Sequence, residues 1–340
     1  MENNYYISSV TDYIRQLQDI QHNRQEAYAD NNEYMNYLIR AIRNSEAHQA
    51  GVNDDSNLKM VNELIEIERA NKRYTPAKFF YRGHYKSSYK LIPSVMRGDE
   101  LKKERFYYHE IAVRSPSYFE GKSHLDRLVT MQHYDCPTRL LDVTSNPLVA
   151  LYFACKNFGC SECNRSNEGV VYVFTESPDN VVYSDSNRAV MLSCLARFEY
   201  RDQQRLLRLA SSALESNSFK RKSNSEYSNA VVEKLFQEIK KETPGFTRNI
   251  RPIDLLKPIF VQPDKTNERI IKQDGAFIIF GLCENEDDAA TKILPSISSE
   301  IHIHNQENIL KELDLLGINE ATLFPEIDKI AHYLKGTGVR

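Results

Sequence analysis

A polar stretch that runs directly into an apolar helix, residues 132–154, constrains the fold more than any other part of the chain. Its first half carries amide, imidazole, hydroxyl, guanidinium and carboxylate side chains. Its second half opens on Asn146 and Pro147 and is almost entirely apolar. Asn146 or Ser145 can cap a helix, and proline suits the first turn, where its missing N–H is not needed. We therefore predict a polar segment at the N-terminus of a core helix, where free N–H groups attract anions such as phosphate.

The same stretch also has a purely structural interpretation. Arg139 and Asp142 could pair only to fix a turn, and Thr144 and Ser145 could act only as caps. Polar side chains most often satisfy nearby backbone groups in this way. The stretch by itself leaves both interpretations open.

A second polar signal lies upstream, at the end of an aromatic strand predicted over residues 77–83. The strand ends in Arg82-Gly83. Arginine is rarely buried without a partner, and a strand glycine allows a ligand or a backbone to approach closely. Arg82 could form a structural salt bridge with Asp142, or it could bind phosphate through two hydrogen bonds. A second hydroxyl and a second guanidinium follow, on Ser94 and Arg97.

Length and charge exclude several classes of protein. The 340 residues allow one large domain or two, and the net charge of −3 gives no general attraction to nucleic acid or to an anionic membrane. Residues 77–122 are locally basic and residues 282–340 are acidic. The N-terminus is polar and no apolar run approaches membrane-spanning length, so we expect a cytoplasmic protein without a signal peptide or membrane association.

The cysteine and histidine patterns give little support for a metal site. In a chain of this kind the six cysteines should be reduced thiols. Cys155, Cys160 and Cys163 have the spacing C-x4-C-x2-C, but no fourth zinc ligand lies nearby in a matching pair. His302 and His304 would share one face of a strand, which is more often an exposed surface than a metal pair. We predict no metal site.

The periodicity of apolar residues predicts an α+β fold with a central mixed, mostly antiparallel sheet flanked by helices. Helices over residues 5–19, 24–48 and 58–70 give a helical N-terminal region, 1–76, which either forms a subdomain or covers one face of the core. Five later segments are predicted strands: residues 77–83, 169–175, 257–263, the end of 267–280, and 301–304, the last at a sheet edge. Helices are predicted over residues 99–114, 123–134, 147–154, 186–198, 201–216, 229–241, 306–317 and 326–335. The basic segment 201–222 is either a solvated helix surface or a nucleic-acid face.

Several of these motifs together resemble the FRG domain family, named for its Phe/Tyr-Arg-Gly motif. They are Phe80-Tyr81-Arg82-Gly83, Leu-x-Pro-Ser-x-x-Arg at 91–97, Gln-His-Tyr-x-x-Pro-Thr-Arg-Leu-Leu-Asp-x-Thr at 132–144, and Ala-Leu-Tyr-Phe-Ala at 150–154. Residues 269–277 and 316–325 resemble the family's later elements. The resemblance implies an FRG domain over 77–340, with residues 20–75 as an insertion. Asp135 stands where the family usually has a small residue such as glycine.

The chain also resembles the arginine–serine–glutamate class of ADP-ribosyltransferases, which implies an ADP-ribosyltransferase-like core that uses NAD. On this resemblance Arg82 holds an NAD phosphate, and Thr144 and Ser145 brace the NAD site. The catalytic glutamate of that class should lie near residue 273. This chain has Gln273 there, with Asp274 one place off, and a neutral amide stabilises an oxocarbenium-like transition state poorly.

These resemblances imply an ADP-ribosyltransferase or NAD glycohydrolase that modifies a nucleic-acid or protein target, in the manner of a bacterial toxin or phage-defence effector with a cognate antitoxin or regulator. We assign catalytic roles to Arg82, Gln273 and His133, the last being the only obvious general base. The residues expected to bind the nucleotide are Arg82, Ser94, Arg97, Gln132, Arg139, Asp142, Thr144 and Ser145. The alternative is a nucleotide- or nucleic-acid-binding module without turnover. A nuclease is disfavoured, because the motifs lack a carboxylate cluster for two metals.

Overall fold

The chain folds around one eight-stranded sheet. The computed structural model describes residues 4–29, 77–156, 168–215, 226–247, 250–265 and 267–337. The strands are β1 (Asn4–Ile7), β2 (Lys78–His84), β3 (Leu140–Thr144), β4 (Gly169–Glu176), β5 (Val181–Tyr183), β6 (Ile259–Gln262), β7 (Gly275–Ile279) and β8 (Ile297–Ile303). Their order across the sheet is β1-β8-β4-β2-β3-β7-β6-β5.

Thirteen α-helices occur in the described part of the chain. They are α1 (Val10–Ala29), α2 (Glu104–Arg114), α3 (His124–His133), α4 (Pro147–Cys155), α5 (Asn187–Cys194), α6 (Tyr200–Glu215), α7 (Glu226–Glu242), α8 (Pro252–Leu256), α9 (Glu268–Lys272), α10 (Glu286–Ile293), α11 (Gln306–Leu315), α12 (Glu320–Leu323) and α13 (Ile327–Thr337). No helix in these ranges combines the length and the apolar character needed to cross a bilayer.

The pairing of the strands confirms an α+β fold with a mixed, mostly antiparallel sheet. Only β1 with β8 and β5 with β6 run parallel, and the other neighbouring strands run antiparallel. β4 is buried on both faces because its apolar residues alternate between two clusters, with Val171 and Val173 in one and Tyr172 and Phe174 in the other. The predicted edge position of residues 301–304 is wrong, because β8 lies between β1 and β4.

The N-terminal segment joins the same sheet. The helix predicted over residues 5–19 is wrong at its start, because residues 4–7 form β1 and pair with β8. α1 begins only after Ser9, whose Oγ accepts a hydrogen bond of 3.1 Å from the backbone N–H of Asp12. Tyr13 of α1 is fully buried in the cluster that contains α4. Residues 30–76, and with them most of the predicted helices 24–48 and 58–70, lie outside the described residues, so the domain division at residue 76 stays a prediction.

Helix α4 lies directly against the sheet because two strands present glycine beneath it. A Cβ at Gly83 would come within 1.9 Å of the Ala150 carbonyl oxygen, and one at Gly169 within 2.3 Å of the Ala154 carbonyl oxygen. The close approach predicted at Gly83 is therefore that of the α4 backbone. Asn146 caps this helix, accepting a hydrogen bond of 3.0 Å from the Leu148 N–H.

Candidate functional site

One cavity collects most of the residues that the sequence singles out. It has a volume of about 360 Å³, and it lies where α3, α4 and α9 face β2, β3 and β7. Ligand pockets commonly measure roughly 300–1,000 Å³, so this cavity suits a small molecule or part of a larger one. The predicted site residues that line it are Arg82, Ser94, Arg97, Gln132, His133, Asp142, Thr144 and Gln273. Arg139, Ser145 and Asp274 do not line it.

Arg82 extends from β2 into the cavity and is held by two neighbours. Its Nη1 donates a hydrogen bond of 2.6 Å to the Asp142 carbonyl oxygen and lies 3.9 Å from that residue's Oδ2. Its Nε donates a hydrogen bond of 2.8 Å to Nε2 of His84. Its Nη2 has no hydrogen-bond acceptor among the described residues. Burial lowers the pKa of Arg82, and the Asp142 carboxylate opposes that shift, so the guanidinium keeps its charge.

His84 orients a residue of the candidate site, and the sequence analysis did not single it out. Burial, together with the positive charges of Arg82 and Arg97, lowers the pKa of His84 to about 3. The imidazole is therefore neutral and can accept the hydrogen bond from Arg82. A signal for it exists in the sequence, because residues two apart in a strand share one face.

Thr144 joins two distant segments at the edge of the cavity. Its hydroxyl donates a hydrogen bond of 2.7 Å to the carbonyl oxygen of Gln273. The Gln273 Nε2 donates one of 3.1 Å to the Leu323 carbonyl oxygen, which fixes the amide at the cavity wall. Of the two residues considered for the catalytic carboxylate position, Gln273 therefore lines the cavity and Asp274 does not.

Asp274 turns its side chain away from the cavity. Its φ is +45°, in the left-handed region, and its Oδ2 accepts a hydrogen bond of 3.3 Å from Nδ2 of Asn146. Its carbonyl oxygen accepts a hydrogen bond of 3.0 Å from the Ser145 N–H. Ser145 thus braces the turn from outside, where its own side chain is exposed.

Arg139 lies in the core and not in the cavity. Its side chain is fully buried and forms a bidentate ion pair with Glu104. One of the two hydrogen bonds, from Nε to Oε1, measures 2.8 Å. Gln203 and the Phe280 carbonyl oxygen accept further hydrogen bonds, each of 3.1 Å. A guanidinium whose donors are committed in this way cannot reach a ligand. No local sequence pattern indicates this pairing, because Glu104 belongs to a separate helix.

Polar residues of α3 and of the turn at Ser94 also line the cavity. The Ser94 Oγ accepts a hydrogen bond of 3.2 Å from the Thr138 N–H, and the Thr138 hydroxyl donates to the Gln132 side chain. Ser94 and Gln132, both predicted to bind the nucleotide, thus also hold the turn at Thr138 in place. His133 presents Nε2 at 3.9 Å from Oε1 of Glu326.

Metal ligation finds no support in the described ranges, which hold no group of three His, Cys, Asp or Glu side chains arranged for a metal ion. His302 and His304 do share a face, but both rings stack on Tyr6 with centroid separations of 5.1 and 5.2 Å. Burial raises the pKa of the Cys155 thiol. Cys160 and Cys163 lie outside the described residues.

Comparison with known families supports the predicted resemblance over part of the chain. The FRG domain family model matches residues 77–161, a segment that contains the four motifs between Phe80 and Ala154. The motif at 269–277 lies beyond the match. A search of curated proteins and a search of solved structures each returned no match. Asp135, where the family usually has a small residue, has a φ of +57°, a conformation that favours glycine.

Proposed function

We propose that the cavity binds a nucleotide, and that the protein is an ADP-ribosyltransferase-like enzyme that uses NAD. The observation that carries this proposal is the convergence of Arg82, Thr144 and Gln273 on one cavity, although they come from three distant segments. The resemblance to the arginine–serine–glutamate class requires such a convergence.

Arg82 would bind phosphate. Its Nη2 has no acceptor in the described part of the protein, and Arg97 adds a second guanidinium to the same wall. A fixed guanidinium suits phosphate oxygens because its donors lie in one plane. Since the bonds to His84 and Asp142 already hold Arg82, little side-chain entropy would be lost when a ligand binds.

The reaction in this proposal breaks the bond between the nicotinamide nitrogen and C1′ of the ribose. The electron pair leaves with nicotinamide, and an oxygen or nitrogen of water, nucleic acid or protein forms the new bond to C1′. Gln273 would orient a ribose hydroxyl, and His133 would take the proton from the acceptor. The carboxylates of Asp135 and Asp142 also line the cavity and would favour positive charge on the sugar.

A second candidate is nucleotide binding without turnover. It is favoured by one observation: of the two candidates for the expected carboxylate, the one that lines the cavity is the amide of Gln273, and the Asp274 carboxylate is bonded to Asn146 instead. The two candidates share the binding site and differ only in whether nicotinamide is released.

Calorimetric titration with NAD, combined with chromatographic measurement of nicotinamide, tests both candidates. We expect the unaltered protein to bind NAD and the Arg82→Ala variant to lose binding. The control is Arg114→Ala, which removes an exposed arginine paired with Glu110 on α2. Nicotinamide release supports the enzyme, and binding without release supports the second candidate. Absence of NAD binding, or equal binding by the Arg82→Ala variant, overturns the assignment of this cavity to NAD.

A further inference from the structure

Arg269 is a third arginine of the cavity, and it differs from Arg82 and Arg97 in having no oxygen partner among the described residues. It lies on α9 and lines the cavity. Its guanidinium lies over the ring of Phe324, with Cζ at 5.0 Å from the ring centroid. In the described part of the chain, no carboxylate or carbonyl oxygen accepts a hydrogen bond from it. A guanidinium that is oriented by a ring but lacks an acceptor has all its donors available to a ligand.

Lys156 brings a second positive charge to the same ring. Its Nζ lies 5.6 Å from the centroid of Phe324 and 5.0 Å from that of Phe153, which also lines the cavity. Lys156 is exposed to solvent and does not itself line the cavity, so its ammonium group lies beside the wall that Phe153 forms. Partial desolvation, and then the charges of Arg269 and Lys329, lowers the pKa of Lys156.

The carboxylates near this cluster do not neutralise it. Glu320 and Asp135 raise the pKa of Lys156, but by less than partial desolvation and the neighbouring cations lower it. Glu320 is itself bonded to His332 at 2.7 Å. An anion from outside the chain would stabilise two cations that lie against one ring without a carboxylate in contact.

The positions of Arg82 and Arg269 indicate how far apart two phosphates bound in the cavity would lie. Arg82 lies on β2, and Arg269 lies on the short helix that leads into β7. β3 separates these two strands. Neighbouring strands lie about 4.8 Å apart, so the two strands are roughly 10 Å apart across the sheet. Two long arginine side chains reaching into the cavity from this separation can bind two phosphate groups that a ribose holds apart.

We propose that Arg269 and Lys156 form a second phosphate subsite, so that the ligand is a nucleotide with phosphate groups at two separate positions. This proposal rests on the proposed function in one respect, namely that the cavity takes a nucleotide at Arg82. NAD carries only two adjacent phosphates, so the proposal specifies a phosphorylated form of that dinucleotide, with a further phosphate on a ribose, as the preferred ligand.

Titration calorimetry with three probes tests the subsite: adenosine 5′-monophosphate, adenosine 2′,5′-bisphosphate and adenosine 3′,5′-bisphosphate. We expect one of the bisphosphates to bind the unaltered protein about tenfold or more tightly than the monophosphate, as a charged hydrogen bond provides. Arg269→Gln should abolish this preference and leave the monophosphate affinity unchanged. Glutamine keeps part of the side-chain stem over Phe324, so packing is largely retained. Arg114→Gln, the matched control, should keep the preference.

Two results would overturn the subsite: no preference for either bisphosphate in the unaltered protein, or a preference that survives Arg269→Gln. A Lys156→Gln variant, expected to weaken bisphosphate binding alone, keeps the test valid if Arg269→Gln does not fold. Failure of the proposed function gives a different pattern, because Arg82→Ala would then leave monophosphate binding unchanged.

Discussion

Arg82 donates a hydrogen bond of 2.8 Å from Nε to Nε2 of His84, two residues further along the same strand. An acceptor nitrogen must carry a lone pair, so the imidazole is neutral and holds its proton on Nδ1. Gly83, between them, packs against Ala150 of α4. Tyr81, before them, is buried and accepts a hydrogen bond of 2.7 Å from Gln21. All three residues of the Tyr-Arg-Gly motif line the cavity, but Tyr81 is also a core residue and Gly83 a packing contact for α4. His84 fixes the orientation of Arg82, the charged member of the motif.

The first prediction concerns stability in mild acid. Burial and neighbouring arginines lower the pKa of His84 to about 3, and burial first lowers that of His124 to about 4. Unfolded histidine takes up a proton near pH 6.5, so the unfolded state binds more protons below that pH. The stability provided by each neutral histidine is complete above pH 6.5 and is lost as pH falls. Between about pH 7.5 and about pH 5.5 we expect each to reduce the free energy of unfolding by about 1.4 kcal/mol, measured by urea denaturation.

A His84→Gln variant supplies the comparison for this prediction. Glutamine can accept the same hydrogen bond from Arg82 but does not titrate. The loss of stability over the same pH interval should therefore fall by about 1.4 kcal/mol. His124 and His109, whose pKa burial also lowers, contribute to the remainder. An unchanged loss in the variant would show that His84 is not held neutral in the folded protein.

The second prediction concerns the buried pair of Glu104 and Arg139. Glu104→Gln leaves the Arg139 guanidinium buried without its counter-charge, which should cost about 3 kcal/mol or more in urea unfolding. Glu110→Gln on the same helix breaks only an exposed pair with Arg114 and should change stability by less than about 0.5 kcal/mol. Because Arg139 lies outside the cavity, the folded Glu104→Gln variant should bind NAD as the unaltered protein does. If the variant lost NAD binding without losing stability, Arg139 would have to contribute to NAD binding.

Local signals in the sequence were sufficient for much of the fold. The strand predicted over 169–175 is observed at Gly169–Glu176, and the helix predicted to open at Pro147 does so, because both depend on neighbouring residues. Long-range partners account for the errors. β1 has only four residues and needs β8, almost 300 residues away, in order to form. Among the site residues, Arg139 was misplaced because no local pattern reveals its bond to a glutamate of another helix.

The third prediction contrasts two strand glycines that both line the cavity, Gly83 of β2 and Gly275 of β7. A Cβ at Gly83 would meet the Ala150 carbonyl oxygen at 1.9 Å, whereas one at Gly275 would meet only Ile270, at 3.5 Å or more. Gly83→Ala must push α4 away from the sheet, which should cost about 3 kcal/mol or more. Gly275→Ala should change the free energy of unfolding by less than about 1 kcal/mol, because it also restricts the unfolded chain. Equal effects in urea unfolding would mean that α4 does not lie against β2 as closely as the fold requires.

The fourth prediction concerns the amide of Gln273. If NAD binds as proposed, weak stabilisation of positive charge on the ribose limits turnover. The reason is that Gln273 is neutral and the Asp274 carboxylate is bonded to Asn146. Gln273→Glu places a carboxylate at the cavity wall and should raise the rate of nicotinamide release, by about tenfold or more for one well-placed charge. Asp274→Asn is the matched control, because it removes a carboxylate outside the cavity and should leave that rate unchanged. Both variants should be compared at equal NAD occupancy, so that a change in binding is not read as a change in rate. Suppose instead that a Gln273→Glu variant binds NAD but releases no more nicotinamide. The transition state would then already be stabilised by Asp135 or Asp142, the carboxylates that line the cavity.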